Sequence, residues 1–539
     1  MSRHNLLPIA ILLVIFVGSL FISNQIATDY GKISVEKVVI PDGGHMLVGL
    51  LWTPLHQSSK IPCVVLAHGI SNSKDTMCGL AQEIARAGIA VLAIDLDGHG
   101  ASGGSLSTGD PSLGVVSTIN FAKSLEFVDP SSVGVAGHSL GAGAVRYAAS
   151  MDPEIRAVVL IGGGVGGMAE QGPQLNATYP RNLLVAVGRH DILFTVESLR
   201  KSLLPVFGVD TINSCVTYGD IGSGTARRLV TPSTTHLLEP VTPEIVAETV
   251  RWFSLALKGS EFDGGTLSYL SWETLNIVSL IVFIALSINI VQVFFEPWEN
   301  LELDAFNWRT GLTWGFLGLV LFLPLMTVGL MIPFPPLVFG SSLAWWLMGW
   351  GVIGALIVVY LFKLKGLREY VFESFNPRNV INGVLIFVPL YLVVYLVDAS
   401  TGFGLIMLVE VFRPLSPFSR VLVFPTFIPF YLLYFIFESY SNDRMGYNRL
   451  SSLAFSKIGP LFLLLVAQYG GMFLLNYRLV PGFAGFFLEF LWAILPLLAV
   501  SSVYTKYLNK VEGVWTAIVL NTLLFSWVSA GLFPFGQLF

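Results

Sequence analysis

The pattern of apolar and polar positions divides the chain into segments suited to lipid and a segment suited to water. Leu6–Ile22 is a nearly uninterrupted apolar run. Beyond Leu267 the chain becomes a series of apolar runs of spanning length, near 273–295, 311–332, 341–362, 380–398, 421–438, 458–476, 484–504 and 513–535. The pattern predicts an N-terminal transmembrane anchor at 1–28, a linker at 259–270 and an all-α polytopic membrane domain at 271–539.

Two of these assignments have alternatives. The first run also has the length of a signal peptide, although a small-x-small cleavage site is hard to find before Asp29. The segment 402–412 is too short to span and is predicted to be interfacial or re-entrant. The count of about eight helices after the linker is therefore open by one.

Between Ile33 and Leu257 the pattern changes to short β-branched runs that alternate with amphipathic stretches. This alternation is typical of a mostly parallel sheet wrapped by helices. Eight strands are predicted, at 35–40, 46–51, 63–67, 89–94, 133–136, 157–161, 183–187 and 227–230. We therefore expect an α/β domain at 30–258. Only about twenty glycine-rich residues separate the strands that end at Ile161 and begin at Leu183, which leaves no room for a large helical cap.

The distribution of basic residues predicts the orientation in the membrane. With a cytoplasmic N-terminus, the loops predicted inside hold Arg309, Lys363, Lys365, Arg368, Arg378, Arg444, Arg449, Lys457, Lys506 and Lys510. The loops predicted outside hold only Arg413, Arg420 and Arg478. This bias places the α/β domain outside the cytoplasm, and the glycosylation sequon at Asn176 fits that side.

Composition and charge narrow the classes of function. The net charge of −5 comes without a basic run, so nucleic acid is not expected as a partner. The cysteines Cys63, Cys78 and Cys215 have no metal-ligand spacing and form no disulfide framework, although one Cys63–Cys78 bridge stays open. All eight histidines precede residue 240. We therefore expect no metal and no cofactor, and we expect any reaction to belong to the first half of the chain.

A candidate nucleophile lies in Gly137-His138-Ser139-Leu140-Gly141. The motif follows an apolar strand and precedes a helix-like stretch, which is the context that a nucleophile elbow requires. Its glycines permit a tight turn, and the turn presents the Ser139 hydroxyl near a helix N-terminus, where developing negative charge is favoured.

The serine needs a base, and the base needs an orienting carboxylate. His236 comes after the last predicted strand and just before the closing helix, whereas His190 comes too early. Asp191 directly follows the strand that ends at Val187, although it could also be no more than a helix cap. The competing carboxylates lack a strand end before them, and these are Asp152, Glu154, Glu170, Glu197, Asp210 and Asp220.

An oxyanion intermediate also needs two backbone N–H donors. One is expected from Leu140, directly after the nucleophile, and the other from Ile70, after the tight turn that Gly69 allows. His68 and His138 are predicted to support the loop and the elbow by hydrogen bonding rather than to act as bases.

Together these motifs resemble the α/β-hydrolase superfamily over about residues 30–258. The segment Asp95–Ser102 is similar to that of its esterases, its serine aminopeptidase-like members and its dienelactone-hydrolase-like members. The resemblance implies an eight-stranded, mostly parallel α/β-hydrolase sheet and acyl transfer through a covalent acyl-enzyme. The membrane domain resembles no family that we can name.

The sequence therefore favours a membrane-embedded serine hydrolase that cleaves an acyl ester at the bilayer. A serine peptidase or amidase is the second hypothesis, because the same triad cleaves amides. A third is a transporter or membrane scaffold whose hydrolase-like part only binds. Among acidic residues near membrane depth, which are Asp398, Glu410, Glu438 and Glu489, only Glu489 lies inside an apolar run. Helix-end solvation or an interhelical hydrogen bond is the simpler interpretation for this group.

Overall fold

The computed structural model describes residues 6–107, 109–165, 173–262, 265–294, 307–363, 366–407, 409–445 and 457–537. Lys365 and Arg449 of the predicted cytoplasmic loops lie outside the described residues, as does Glu170, and the side chains of Glu410 and Arg444 are not described. We call residues 33–258 the sheet domain. The N-terminal helix together with residues 269–537 is called the helical domain.

The sheet domain is built on nine strands, which are β1 (Ile33–Asp42), β2 (His45–Pro54), β3 (Ile61–Ala67), β4 (Ala90–Ile94), β5 (Val128–His138), β6 (Ala157–Ile161), β7 (Leu183–Ala186), β8 (Thr217–Tyr218) and β9 (Arg227–Val230). Their order is β1-β2-β4-β3-β5-β6-β7-β9-β8. The strands from β3 to β7 and β9 are parallel, whereas β1, β2 and β8 pair antiparallel with their neighbours.

The eight predicted strands are confirmed, and the prediction lacks only β8. That strand is a two-residue pair on the outer side of β9, too short to leave a pattern in the sequence. The central strands read as continuous apolar runs because both faces of the sheet are covered. In β3, Cys63 and Val65 belong to one core and Val64 and Leu66 to the other, as the alternation of a strand requires.

Five helices cover the two faces of the sheet, at Cys78–Arg86, Val115–Ser124, Leu140–Met151, Val196–Phe207 and Pro243–Phe253. Cys63 and Cys78 are both free and buried, so the bridge between them that the sequence leaves open does not form. Burial raises the pKa of the Cys63 thiol to about 12, so Cys63 stays a neutral core residue.

Among the described residues, eight helical segments are long and apolar enough to cross a membrane, judged by length and composition. Their helices are Leu6–Ala27, Tyr269–Phe294, Trp308–Met331, Gly340–Phe362, Pro377–Thr401, Phe418–Met445, the pair Gly482–Glu489 and Leu491–Val511, and Val514–Leu532. The span predicted at 458–476 is the helix Gly459–Leu475, whose 17 residues are fewer than those of the others. The segment predicted as interfacial or re-entrant contains a hairpin, Leu405–Met407 and Val409–Phe412.

The N-terminal helix Leu6–Ala27 packs along Tyr269–Phe294. The Ser19 hydroxyl lies 2.7 Å from that of Ser279, and Ser23 donates to Asn276 at 2.9 Å. Polar side chains in apolar helices are costly unless they find partners, so these contacts fix how the two helices lie against each other.

Three connections of the helical domain contact the sheet domain. The chain enters the sheet domain after the first helix and leaves it at Tyr269, whose N–H donates to Glu83 at 2.9 Å. The connection after Thr401 brings Phe403 against Trp52, and the connection after Leu475 brings Arg478 to the carbonyl of Phe194 at 3.1 Å. These contacts come from helix ends far apart in the sequence.

Arg420 joins the two domains. Its side chain is fully buried, and it donates to the carbonyl oxygens of Gly98 and Gly100 in the sheet domain at 3.0 and 2.6 Å. It also donates to those of Ala530 and Phe533 in the helical domain, at 2.7 and 2.9 Å. Planar guanidinium groups satisfy several acceptors in fixed directions, so this one side chain determines the relative position of the two segments.

The segment Asp95–Ser102 forms the sheet-domain side of this contact. Asp95 accepts hydrogen bonds from the backbone N–H groups of Lys74 and Ala101, both at 2.8 Å. Burial opposes its charge, but Lys74 and Arg413 outweigh burial and hold the pKa of Asp95 below its usual range. The segment Asp95–Ser102, which is similar to a segment of esterases, thus also forms part of the surface on which the helical domain docks.

We expect Arg420→Ala to lower the free energy of unfolding by roughly 3 kcal/mol or more, because buried carbonyl oxygens lose a charged donor and such hydrogen bonds contribute about 1.5–3 kcal/mol each. Thermal unfolding in detergent measures the effect. Arg309→Ala, which removes an exposed arginine at the start of a helix, is the matched control. Equal unfolding temperatures for the two variants would contradict the role assigned to Arg420.

Candidate active site

The turn at Ser139 has the backbone of a strand-to-helix elbow. Strand β5 ends at His138, the helix begins at Leu140, and Ser139 between them has φ 53° and ψ −112°. A Cβ at Gly137 would lie 2.2 Å from the carbonyl oxygen of Gly141, and one at Gly141 would lie 2.4 Å from that of Ala67. Only glycine fits at both positions, which is why the motif predicts the turn.

The structure brings Ser139, His236 and Asp191 together. The Nε2 atom of His236 lies 3.0 Å from the Ser139 Oγ, and its Nδ1 lies 2.8 Å from Oδ2 of Asp191. The other carboxylate oxygen of Asp191 accepts the N–H groups of Leu193 and Phe194 at 2.6 and 2.8 Å. The cap-like role and the orienting role of Asp191 therefore coexist, one on each oxygen.

The two buried partners of this relay shift each other's pKa. Burial opposes the charged form of His236, but the charge of Asp191 and its hydrogen bond outweigh burial and raise the pKa of His236. Burial likewise opposes the charge of Asp191, and His236 outweighs it, so the pKa of that carboxyl is lowered. An imidazole held this way is oriented and made more basic toward the serine hydroxyl.

The predicted oxyanion donors stay predictions, although their surroundings agree with the role. Ile70 lines the cavity in front of Ser139, and Leu140 begins the helix behind it. Within the described part of the chain, no hydrogen bond is recorded for the N–H group of either residue. Gly69 has no room for a side chain, because a Cβ there would lie 2.8 Å from His138 Nδ1.

His68 and His138 form the supporting hydrogen bonds that the sequence predicts. His68 Nδ1 lies 2.7 Å from the carbonyl oxygen of Gly69, and its Nε2 accepts the N–H of Leu96 at 3.1 Å. His138 Nε2 lies 3.1 Å from the carbonyl oxygen of His236. Burial lowers the pKa of His68 to about 4 and that of His138 well below its usual value, so both rings are neutral.

Glu239 is a site residue that the sequence analysis missed. It is fully buried, its Oε1 accepts the Gly188 N–H at 2.6 Å, and its Oε2 lies 3.6 Å from Nδ1 of His236. Burial first, and then the charge of Asp191, raise the pKa of Glu239 well above its usual value. The sequence signal that could have indicated Glu239 is its position three residues after His236, on the same turn His236–Val241.

Among the residues that the structure describes, two groups of side chains have the spacing of metal ligands. One is His138, His236 and Glu239. Since both ring nitrogens of His236 already face Ser139 and Asp191, a metal ion there would break the relay. The other, Asp42, His45 and Asp97, is held by its own contacts, with His45 Nε2 2.6 Å from Asp97 Oδ1. Neither group alters the chemistry at Ser139.

The helical domain supplies one wall of the cavity at Ser139. The space between the walls is about 690 Å³, including its open mouth. On the sheet-domain side it is lined by Gly69, Ile70, Ser71, Asn72, His138, Ser139, His236 and Leu237, and on the other side by Phe486, Glu489, Phe490, Trp492, Ala493 and Leu532. The sequence predicts an open site unless the predicted membrane domain or a partner covers it, and the helical domain forms one wall over it.

Glu489 lies at a break in a predicted span. The run 484–504 forms two helices separated at Phe490, and Glu489 ends the first of them. Its side chain is 6% exposed and is close enough to raise the pKa of His236. Glu489 thus ends a helix but is not solvated there, and that helix end faces the candidate site.

The helical domain also holds the loop that carries Asp191. Arg478 donates to the backbone carbonyl of Asp191 and, at 3.1 Å, to that of Phe194. The ring of His190 packs on Phe473 with centroids 4.3 Å apart, so His190 acts as a contact of the loop. Arg413, Arg420 and Arg478, the arginines predicted to lie outside, thus all contact the sheet domain.

The strand order and the elbow at Ser139 give the sheet domain an α/β-hydrolase-like fold. More particularly, residues 58–192 match the family model Hydrolase_4, described as serine aminopeptidase, S33. That match contains Ser139 and Asp191 and ends before His236. An uncharacterised 31.7 kDa protein of Escherichia coli, from the traX-finO intergenic region, is 31% identical over 104 residues, which are 19% of this chain and 36% of the relative. The match thus spans about a third of that relative's length.

Solved structures with a similar sheet include three enzymes. Est1E from Butyrivibrio proteoclasticus, solved with ferulic acid, is 20% identical with a TM-score of 0.31, over 41% of this chain and 100% of its own. The Pyrococcus furiosus esterase Pf2001 is 20% identical with a TM-score of 0.34, over 43% and 96%. The dienelactone hydrolase of Anabaena variabilis is 21% identical with a TM-score of 0.31, over 43% and 100%.

We expect Glu239→Gln to change how stability depends on pH. A buried acid whose folded pKa is raised stabilises the fold fully only below its unfolded pKa, and the stability is lost as pH rises toward the folded pKa. Glutamine keeps the shape and does not titrate. The unfolding temperature of the variant, relative to wild type, should therefore increase between about pH 5 and about pH 8.

Thermal unfolding in detergent at both pH values measures this difference. Glu197→Gln is the matched control, because Glu197 is an exposed residue of a surface helix, and its difference from wild type should stay constant. A constant difference for Glu239→Gln as well would mean that Glu239 is ionised in the folded protein.

Proposed function

We propose that this protein is a membrane-embedded serine hydrolase that cleaves an acyl ester by means of Ser139, His236 and Asp191. The observation that carries the proposal is the continuous relay from Ser139 Oγ to His236 and Asp191, with distances of 3.0 and 2.8 Å, at the wall of a cavity. Nucleophile, base and orienting acid in this arrangement perform acyl transfer on several unrelated folds.

The mechanism follows from the atoms present. Ser139 Oγ attacks the ester carbonyl carbon while Nε2 of His236 takes the hydroxyl proton. The N–H groups of Ile70 and Leu140 bind the oxyanion of the tetrahedral intermediate. His236 then gives the proton to the departing alcohol oxygen, which leaves an acyl-enzyme on Ser139. Water attacks this ester, again with His236 as base. The carboxylic acid then leaves, and His236 returns the proton to Ser139 Oγ, which restores the free hydroxyl.

The cavity wall supports a substrate with one polar and one apolar part. Ser71 Oγ and Asn72 Oδ1 are buried with no hydrogen-bond partner within the described part of the chain, and both residues line the cavity. They are available to polar groups of the substrate. Phe486, Phe490 and Trp492, from the helical domain, offer the apolar surface opposite. An acyl ester has polar groups next to its carbonyl and an apolar tail beyond it.

We further propose that each helix of the helical domain crosses the bilayer once and that the sheet domain is extracytoplasmic. The contacts of the sheet domain with the helix ends at Tyr269, Phe403 and Arg478 support one crossing per helix, with Gly459–Leu475 among them. The basic residues concentrated in the other set of loops support a cytoplasmic position for those loops. The cavity would then lie at the outer surface of the membrane.

A membrane-impermeant fluorophosphonate probe, applied to intact cells, tests both proposals. Wild type and the exposed-serine control Ser131→Ala should be labelled, whereas Ser139→Ala should not, because only an activated serine reacts with the probe. In the purified protein Ser139→Ala should lower kcat by roughly 10⁴- to 10⁶-fold. Labelling only after lysis would invert the orientation, and equal labelling of Ser139→Ala would remove the proposed nucleophile.

A peptidase that acts at an amino terminus is the second candidate, and Glu489 is the observation that favours it. A carboxylate on the cavity wall can bind an ammonium group beside the aromatic rings of Phe490 and Trp492. Glu489 reaches the cavity only through the docking of the two domains, so the sequence has no local signal for this contact.

Comparison of an aminoacyl p-nitroanilide with a p-nitrophenyl ester decides between the candidates. For an esterase, Glu489→Gln should change kcat/KM of the neutral ester by less than about tenfold, and the anilide should remain uncleaved. For a peptidase, the anilide should be cleaved, and Glu489→Gln should lower its kcat/KM by roughly 100-fold, mainly through KM, because a buried charge pair is lost. Leu532→Met, a volume-conserving change on the same wall, controls for altered packing.

A further inference from the structure

A second cavity lies within the helical domain, beyond the wall that faces Ser139. The space between the helices Gly340–Phe362, Leu491–Val511 and Val514–Leu532 is about 340 Å³, including its openings. Ten of its eleven lining residues are apolar. The eleventh, Ser529, is already hydrogen-bonded, with its Oγ 2.5 Å from the hydroxyl of Tyr431. No charged side chain lines this space among the described residues.

The two cavities share part of their walls. Phe490, Ala493 and Leu532 line both the space at Ser139 and the space in the bundle. Ala493, with its single methyl group, is the smallest side chain of these three. From there the second cavity extends along one helix to Leu497 and along another to Phe525. Phe525 and Leu532 are seven positions apart, which corresponds to about 10 Å along the helix.

The chemistry of this space selects its occupant. A polar or charged group placed there would lose its hydration without gaining a partner, which is costly. An unbranched hydrocarbon chain loses nothing on entering and gains burial of each methylene. The adjacent polar groups, Ser71 and Asn72, remain at the end of the cavity that faces Ser139. An acyl chain bonded to a carbonyl at Ser139 has this distribution of polar and apolar parts.

We propose that the second cavity binds the acyl chain of the substrate, so that the helical domain selects esters of unbranched, medium-length acyl chains. The inference rests on the proposed esterase function and adds the substrate class and the site that recognises it. The carbonyl carbon lies at Ser139, and the chain passes between Phe490 and Ala493 into the bundle. The helical domain is then part of the enzyme's substrate site as well as its attachment to the membrane.

The test compares p-nitrophenyl acetate with p-nitrophenyl octanoate, using the purified full-length protein in detergent. Wild type should prefer octanoate in kcat/KM by at least about 100-fold, since each buried methylene contributes roughly a factor of four. Val528→Phe adds bulk to the second cavity alone and should lower the octanoate-to-acetate ratio by at least about tenfold. Val466→Phe, on the exposed face of another helix, should leave the ratio as in wild type.

The outcomes separate this inference from the function on which it rests. If fluorophosphonate labels Ser139 and acetate is cleaved, but Val528→Phe keeps the wild-type ratio, the chain does not enter the second cavity and the inference is wrong. If neither ester is cleaved and Ser139 is not labelled, the esterase function itself fails. Cooperative thermal unfolding of Val528→Phe in detergent, as in wild type, excludes misfolding as the cause of a lower ratio.

Dioctanoyl phosphatidylcholine in the same assay separates two sources of such a chain. Its cleavage, with the same loss in Val528→Phe, would identify a membrane phospholipid as the donor. Cleavage of the p-nitrophenyl ester alone, again with that loss, would identify a single-chain ester.

Discussion

The buried guanidinium of Arg420 is the contact on which the arrangement of the two domains depends. A charge out of contact with water is tolerated only when its donors are satisfied, and here the acceptors come from both domains. Separating the domains would leave both the charge and the carbonyl oxygens of Gly98 and Gly100 without these partners. The wall that the helical domain forms over Ser139 is therefore a fixed part of the site, and the cavity is defined in the resting protein.

The helical domain has more helices than the proposed attachment to a membrane requires, since a single helix would anchor the sheet domain. Its helix ends hold the Asp191 loop through Arg478, contact the segment Asp95–Ser102 through Arg420 and line the cavity through Phe486 and Glu489. These contacts come from parts of the chain far apart in sequence. A bundle is needed to bring them to one surface at the same time.

Most of the sheet domain and its relay could be predicted from the sequence, because each relevant signal is local. The elbow at Ser139 is indicated by two glycines that have no room for a side chain, and Asp191 and His236 lie in the segments that follow β7 and β9. Strand β8 was missed because two residues carry no periodicity. Glu239 was not predicted because it follows His236 in the chain, whereas the orienting carboxylate was expected before that histidine. The place of Glu489 at the cavity depends on domain docking, for which a single sequence has no local signal.

The relay is complete by residue 236, but the opposite wall of its cavity comes from residues beyond 480. During synthesis the sheet domain emerges first, and domains generally fold as units in that order. A newly made sheet domain would thus have its nucleophile and base in place while the surface that selects the substrate is still missing. Under the proposed function, docking of the later helices is then the step that turns an unselective serine into a selective one, and domain assembly becomes a form of maturation without proteolysis.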